Sequence, residues 1–140
     1  MIVAEHTTNQ GITVNVNSGN IKAASAGKAI AVSDPQSTGG NDVKLNVAGG
    51  NVVGGIQVEE SIETAKPVAV TGGTFSSDVS AYTADNTPVA FTFNEGTSNN
   101  RTYYVGAGTI QNVANNLSAG QQLWIVKGTV TLMGVPAGVT

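Results

Sequence analysis

Val68-Ala69-Val70-Thr71-Gly72-Gly73-Thr74-Phe75 places two apolar residues two apart, then a glycine pair, then a third apolar residue. Successive side chains of a strand point to opposite faces, so Val68 and Val70 share one face. From Val70 to Phe75 is an odd number of steps, and an unbroken strand would turn Phe75 away from that face. A glycine at positive φ, making a corner or bulge, restores the inward direction. The stretch therefore reads as strand, sharp corner, strand, with both strands facing one core.

The same arrangement recurs. Aligned on a Gly followed by Asn or Thr and an apolar residue, the anchors are Gly19-Asn20-Ile21, Gly50-Asn51-Val52, Gly73-Thr74-Phe75, Gly108-Thr109-Ile110 and Gly128-Thr129-Val130. Five residues before each Gly stand Val14, Leu45, Val68, Tyr103 and Leu123, and three before stand Val16, Val47, Val70, Val105 and Ile125. Every one of these positions is apolar or aromatic in a chain that is only 40% hydrophobic, so the repeat is not a product of composition. The anchor glycines lie 31, 23, 35 and 20 residues apart. Intervals of about 20 to 25 residues suit one coil of a stacked repeat. The longer intervals have room for a further strand, for which Ala29-Ile30-Ala31-Val32 and Val89-Ala90-Phe91-Thr92-Phe93 are candidates, with Ile56-Gln57-Val58 pairing beside them. The expected fold is all-β: a short right-handed parallel β-helix (β-solenoid) of about five coils. It fills a single domain over residues 1–140, with residues 1–10 and 131–140 as end caps. The alternative is a β-sandwich or barrel, which also shows short alternating strands between turns but does not require the same Gly and the same offsets five times.

Composition narrows the function classes. Six Lys plus Arg are scattered over a chain of net charge −3, so no basic footprint for nucleic acid exists. No apolar run is long enough to insert into a membrane as a helix, and no basic amphipathic stretch suits a membrane surface. With no cysteine there is no disulfide framework and no thiolate metal site. Met1 to His6 lacks a basic segment followed by an apolar core, so no signal peptide is read there. Two origins stay open: a domain of a longer secreted protein, and a component, such as a virion protein, that never crosses a secretory pore.

Val68 to Asp85, with its Gly72-Gly73-Thr74-Phe75 corner followed by Ser77-Asp78-Val79-Ser80-Ala81-Tyr82, resembles a recurring stretch in right-handed parallel β-helix modules of large surface proteins from gut-dwelling bacteria. Asn86 stands where that stretch tends to carry Gly. The resemblance implies a β-helix serving display, adhesion or carbohydrate contact at the cell surface, and it brings no catalytic residues.

The outward face carries the candidate site. Four residues before each anchor Gly come Asn15, Asn46, Ala69, Tyr104 and Trp124. The last two come from consecutive units, and adjacent coils stacked about 4.7–4.9 Å apart set Tyr104 and Trp124 side by side on an exposed sheet. An exposed aromatic pair stacks on a sugar ring or anchors a protein interface. Three readings of this face stay open: an oligomer or partner interface, a surface covered by the tail Leu132-Met133-Gly134-Val135-Pro136, and a carbohydrate contact. Gly19, Gly50, Gly73, Gly108 and Gly128 are expected as structural corners.

Catalytic and metal chemistry find little support. Glu59, Glu60 and Glu63 form the densest acidic group, but without an aspartate-rich loop they read as a solvated turn rather than a Ca²⁺ site. Asp34, Asp42, Asp78 and Asp85 do not occur as pairs along the sequence and Arg101 is the only arginine, so a polysaccharide lyase or hydrolase site is not expected. His6 has no credible base–nucleophile partner in sequence, so a catalytic triad is not expected. Gly39-Gly40 and Gly54-Gly55 lack the Lys-Ser/Thr of a phosphate loop. The expectation is a protein that is not an enzyme and uses no metal or cofactor, with a glycan, a protein or a second copy as partner. A self-associating virion or filament subunit is the alternative.

Overall fold

The computed structural model describes residues 2–5, 11–23, 27–35, 43–93 and 100–140. His6, Asp42, Gly39-Gly40 and most of the proposed N-terminal cap lie outside them. The first half of the chain makes three similar passes. The first holds β1 (Ile2–Glu5), β2 (Ile12–Val16) and β3 (Asn20–Lys22); the second holds β4 (Lys28–Ser33), β5 (Val43–Val47) and β6 (Asn51–Val53); the third holds β7 (Gly55–Val58), β8 (Val68–Val70) and β9 (Gly73–Phe75). Each pass lays one strand in each of three sheets, and every pairing among these nine strands is parallel.

Register explains the repeated offsets. Val14 pairs with Leu45 and Leu45 with Val68; Val16 pairs with Val47 and Val47 with Val70; Ile21 pairs with Val52 and Val52 with Phe75. Each offset from the glycine is thus one column of side chains directed into a common core. Leu45, Val52, Ile30 and Phe75 are at most 1% exposed, and each contributes about 1.5–3 kcal/mol by leaving water. The corner glycines behave as the spacing requires: Gly19, Gly50 and Gly73 have φ of 97°, 93° and 107°. Outside the core, Asn46 donates a side-chain hydrogen bond to its register partner Asn15 at 2.9 Å. The candidate strands 29–32 and 56–58 fall in β4 and β7, with Ile30 opposite Ile56.

After Phe75 the chain changes course. Asp78 Oδ1 accepts the Ser80 N–H at 2.9 Å where a 3₁₀ turn (Ser80–Tyr82) begins, and the turn packs against β8 while Val79 enters the core. Then come β10 (Val89–Phe93), β11 (Arg101–Val105), α1 (Ala107–Asn115) and β12 (Trp124–Lys127). These do not make a fourth and a fifth coil. β11 joins β9 antiparallel, β10 joins β11 antiparallel, and β12 joins β10 antiparallel, giving the sheet order β12-β10-β11-β9-β6-β3. The expected count of about five coils is therefore corrected to three parallel passes extended on one side by an antiparallel group. The chain as a whole is sheet-rich, built on three small parallel or mixed sheets.

Two of the five expected corners change as well. Gly108 lies in the first turn of α1, and the positive-φ corner after β11 is Gly106 (φ 92°), whose N–H donates to the Pro88 carbonyl at 2.9 Å. Gly128 does take positive φ (72°), but it ends β12 rather than leading into a further strand. Of the proposed caps, Ile2–Glu5 forms β1, and the C-terminal residues run beside 120–123, with Leu123 N–H donating to Thr140 O at 2.8 Å.

Candidate functional site

Both candidate aromatic residues belong to the antiparallel end of the six-stranded sheet, but they do not meet. Tyr104 is the register partner of Ala90, whereas Trp124 is the register partner of Phe91. Adjacent residues of β10 project to opposite faces, so Tyr104 and Trp124 do too, with β10 between their strands. Side-by-side placement assumed that β11 and β12 were neighbours, and the insertion of β10 removes that adjacency.

On one face, Trp124 closes an aromatic group. Its ring stacks on Phe91 (centroids 6.1 Å apart, 11° between planes) and meets Phe93 edge-on at 6.5 Å. The indole N–H donates to Gln122 Oε1 at 3.0 Å. The Arg101 guanidinium lies 4.3 Å from the centre of the Phe91 ring and 5.2 Å from that of Phe93, a cation–π arrangement worth about 0.5–1 kcal/mol at an exposed site. Trp124 nevertheless remains 50% exposed, and its neighbours Ile125 and Val126 are exposed at 46% and 40%. Among the described residues no strand pairs with the outer side of β12, which is the edge of its sheet. The tail does not cover Trp124; it is held against α1 instead, where the Gln111 side chain bonds both the N–H and the carbonyl of Met133.

On the opposite face, Tyr104 lies under α1, which packs against β11 through a side bearing buried Ile110 and Ala114. The Tyr104 hydroxyl and Thr92 Oγ1 are hydrogen-bonded at 3.0 Å. Above them opens a cleft of about 440 Å³, walled by Asn112, Val113 and Asn116 of α1 and closed by Leu117 and Gln121. No protein-family model, curated protein or solved structure matches this chain.

The acidic residues have local structural work. Glu59 Oε2 accepts the backbone N–H of Asp34, which is 1% exposed, at 2.9 Å, while Glu60 and Glu63 lie exposed on a 3₁₀ helix (Glu60–Ala65). No group of three or more metal-ligating side chains occurs among the described residues, and no helix there is long and apolar enough to cross a membrane. Burial, reinforced by the Glu63 carboxylate, raises the Tyr82 phenol above the ordinary value of 10.

Sequence reasoning singled out Tyr104 and Trp124 but missed what surrounds them. Phe91 and Phe93, two apart with Arg101 to follow, signalled a shared aromatic face. Asn112, Asn116 and Gln121 carried no signal before α1 was known to fold over Tyr104.

Proposed function

We propose that this chain is a non-catalytic, right-handed β-helix module for surface display, which engages a glycan or protein partner through the antiparallel end of its large sheet. Parallel stacking of three passes supports the β-helix reading over a β-sandwich, whose sheets would be mainly antiparallel. The resemblance of Val68–Asp85 to surface-protein modules supports location at a cell surface. One observation carries the binding reading: Trp124 is half exposed yet fixed on a sheet edge by Phe91, Phe93 and Gln122. A large aromatic side chain already ordered before contact loses little entropy on binding and suits an anchor.

A second reading, a self-associating structural subunit of a virion or filament, is favoured by Ile125 and Val126. With Trp124 they expose apolar side chains on both faces of an edge strand, and unpaired strand edges of this kind template pairing with another copy.

Trp124, the single tryptophan, reports on both. Emission that shifts to the blue on adding a polysaccharide or a surface protein supports the display reading. A blue shift that follows protein concentration alone, with a matching rise in sedimentation coefficient, transfers the function to self-association. Emission unmoved by glycans, proteins and concentration overturns the assignment of this edge.

A further inference from the structure

We infer that the cleft between Tyr104 and α1 binds a neutral saccharide. The inference deepens the display reading by naming a ligand class, and it moves the site to the face opposite Trp124.

The hydrogen-bonding groups left over in the cleft identify that class. Asn116 Nδ2 is committed to the Asn112 carbonyl at 2.7 Å, which leaves its Oδ1 to accept. Gln121 Oε1 accepts the Ser118 N–H at 2.7 Å, which leaves its amide N–H groups to donate. No hydrogen bond among the described residues engages the Asn112 side chain, so its amide offers both donor and acceptor. In the Thr92–Tyr104 pair one hydroxyl donates to the other, and the second O–H is left to donate. The cleft thus presents donors and acceptors in mixture, matching hydroxyl groups that each do both.

Charge and shape agree. None of the described residues lining the cleft carries a charge. An anion would call for Arg or Lys and a cation for a carboxylate, while a purely apolar ligand would strip water from the amides without replacing its hydrogen bonds. The Tyr104 ring, anchored through its hydroxyl, supplies an apolar surface for the C–H face of a pyranose. A volume of about 440 Å³ falls near the lower end of the range of about 300–1,000 Å³ usual for small-ligand pockets. That suits one or two sugar rings gripped at a time.

The test is a titration of the isotope-labelled full chain with maltotriose, cellotriose and triacetylchitotriose, following the side-chain amide resonances by NMR. At least one sugar is expected to shift Asn112, Asn116 and Gln121 together. Asn112→Ala, which removes an exposed side chain with no structural bond, is expected to weaken binding fivefold or more, and Lys22→Ala, at an exposed position of β3 on the far edge of the same sheet, to leave it within twofold. No shift of the three amides at tens of millimolar sugar overturns the cleft, and so does equal binding of trigalacturonate or of a neutral tetrapeptide. Shifts confined to the Trp124 indole, abolished by Trp124→Ala and untouched by Asn112→Ala, overturn the cleft while leaving the display reading intact. Failure of the Trp124 fluorescence test alone removes the edge assignment and leaves the cleft standing.

Discussion

Gly49 rests on the backbone of Asn17 so closely that a Cβ at Gly49 would lie 2.4 Å from the Asn17 carbonyl oxygen. The contact repeats one pass later, where a Cβ on Gly72 would lie 2.3 Å from Ala48 O. Neither glycine has positive φ, so stacking alone, and not backbone conformation, demands glycine there. Ser18 precedes Gly19 as Gly49 and Gly72 precede Gly50 and Gly73, and it bears a side chain because β3 is the last strand of its sheet. Gly49→Ala and Gly72→Ala are therefore expected to destabilise by about 1–3 kcal/mol, the usual cost of overpacking. Ser18→Gly should cost less than about 1 kcal/mol, through chain entropy only. Urea unfolding midpoints of the three variants check the order. Equal effects at all three positions would mean that the passes are not stacked at this corner.

Gly106 and Gly108 separate a corner from a helix. A Cβ at Gly106 would sit 3.1 Å from Thr71 O on a backbone at φ 92°, and Gly106→Ala is expected to destabilise by about 1–2 kcal/mol. Gly108 is helical, with open space where its Cβ would be. Gly108→Ala should stabilise by about 0.5–1 kcal/mol, because alanine loses less freedom in a helix. Thermal melts of the two variants should move in opposite directions. A destabilised Gly108→Ala protein would restore the corner role that the repeat suggests.

That pair also marks how far the sequence was legible. The offsets before Gly19, Gly50 and Gly73 work because parallel stacking sets identical positions over one another, so one pattern read three times describes one column. Tyr103 and Val105 satisfy the same offsets and are buried, yet β11 runs antiparallel to β9. Alternation in a strand records which face is buried and is silent on which way the neighbour runs. The helix was hidden because Thr109, Asn112, Val113 and Asn115 are weak helix formers, and its apolar contacts reduce to Ile110 and Ala114 four residues apart. The cleft was illegible for the same reason: it exists only because α1 crosses Tyr104.

Tyr82 should make stability depend on pH at the alkaline end. Its phenol is raised above 10 in the folded chain, first by burial and then by Glu63, so the folded state holds this proton where the unfolded state releases it. Stability from this source is fully present below pH 10 and is lost as pH rises through the folded value. Tyr82→Phe keeps the ring against the core and removes the ionisation, and it should flatten the fall in unfolding midpoint between about pH 9 and about pH 11. Glu63→Gln should lower the phenol towards its ordinary value without abolishing the shift, since burial is the larger cause. Phenolate absorbance followed against pH measures both; an unchanged profile in Tyr82→Phe would assign the alkaline loss elsewhere.

Lys127 fastens the exposed strand to the body of the chain. Its Nζ donates to Thr83 O at 2.7 Å and Ser80 O at 3.1 Å, and lies 3.7 Å from Asp85 Oδ1. The Asp85 carboxylate is fully exposed, so screening by water leaves that contact little weight, and Asp85→Asn should not move the unfolding midpoint. The carbonyl contacts are partly buried and charge-assisted, but they are not equal. Ser80 O also accepts the Thr83 hydroxyl at 2.9 Å, so it stays satisfied without Lys127, whereas no other hydrogen bond among the described residues reaches Thr83 O. Lys127→Met preserves the apolar stem and strands one carbonyl, for an expected loss of about 1–3 kcal/mol. Because Lys127 and Trp124 end the same four-residue strand, the variant should also loosen the stacking of Trp124 on Phe91 and shift its emission to the red before global unfolding. Loss of stability without that shift would mean that the aromatic group, and not Lys127, holds β12 in register.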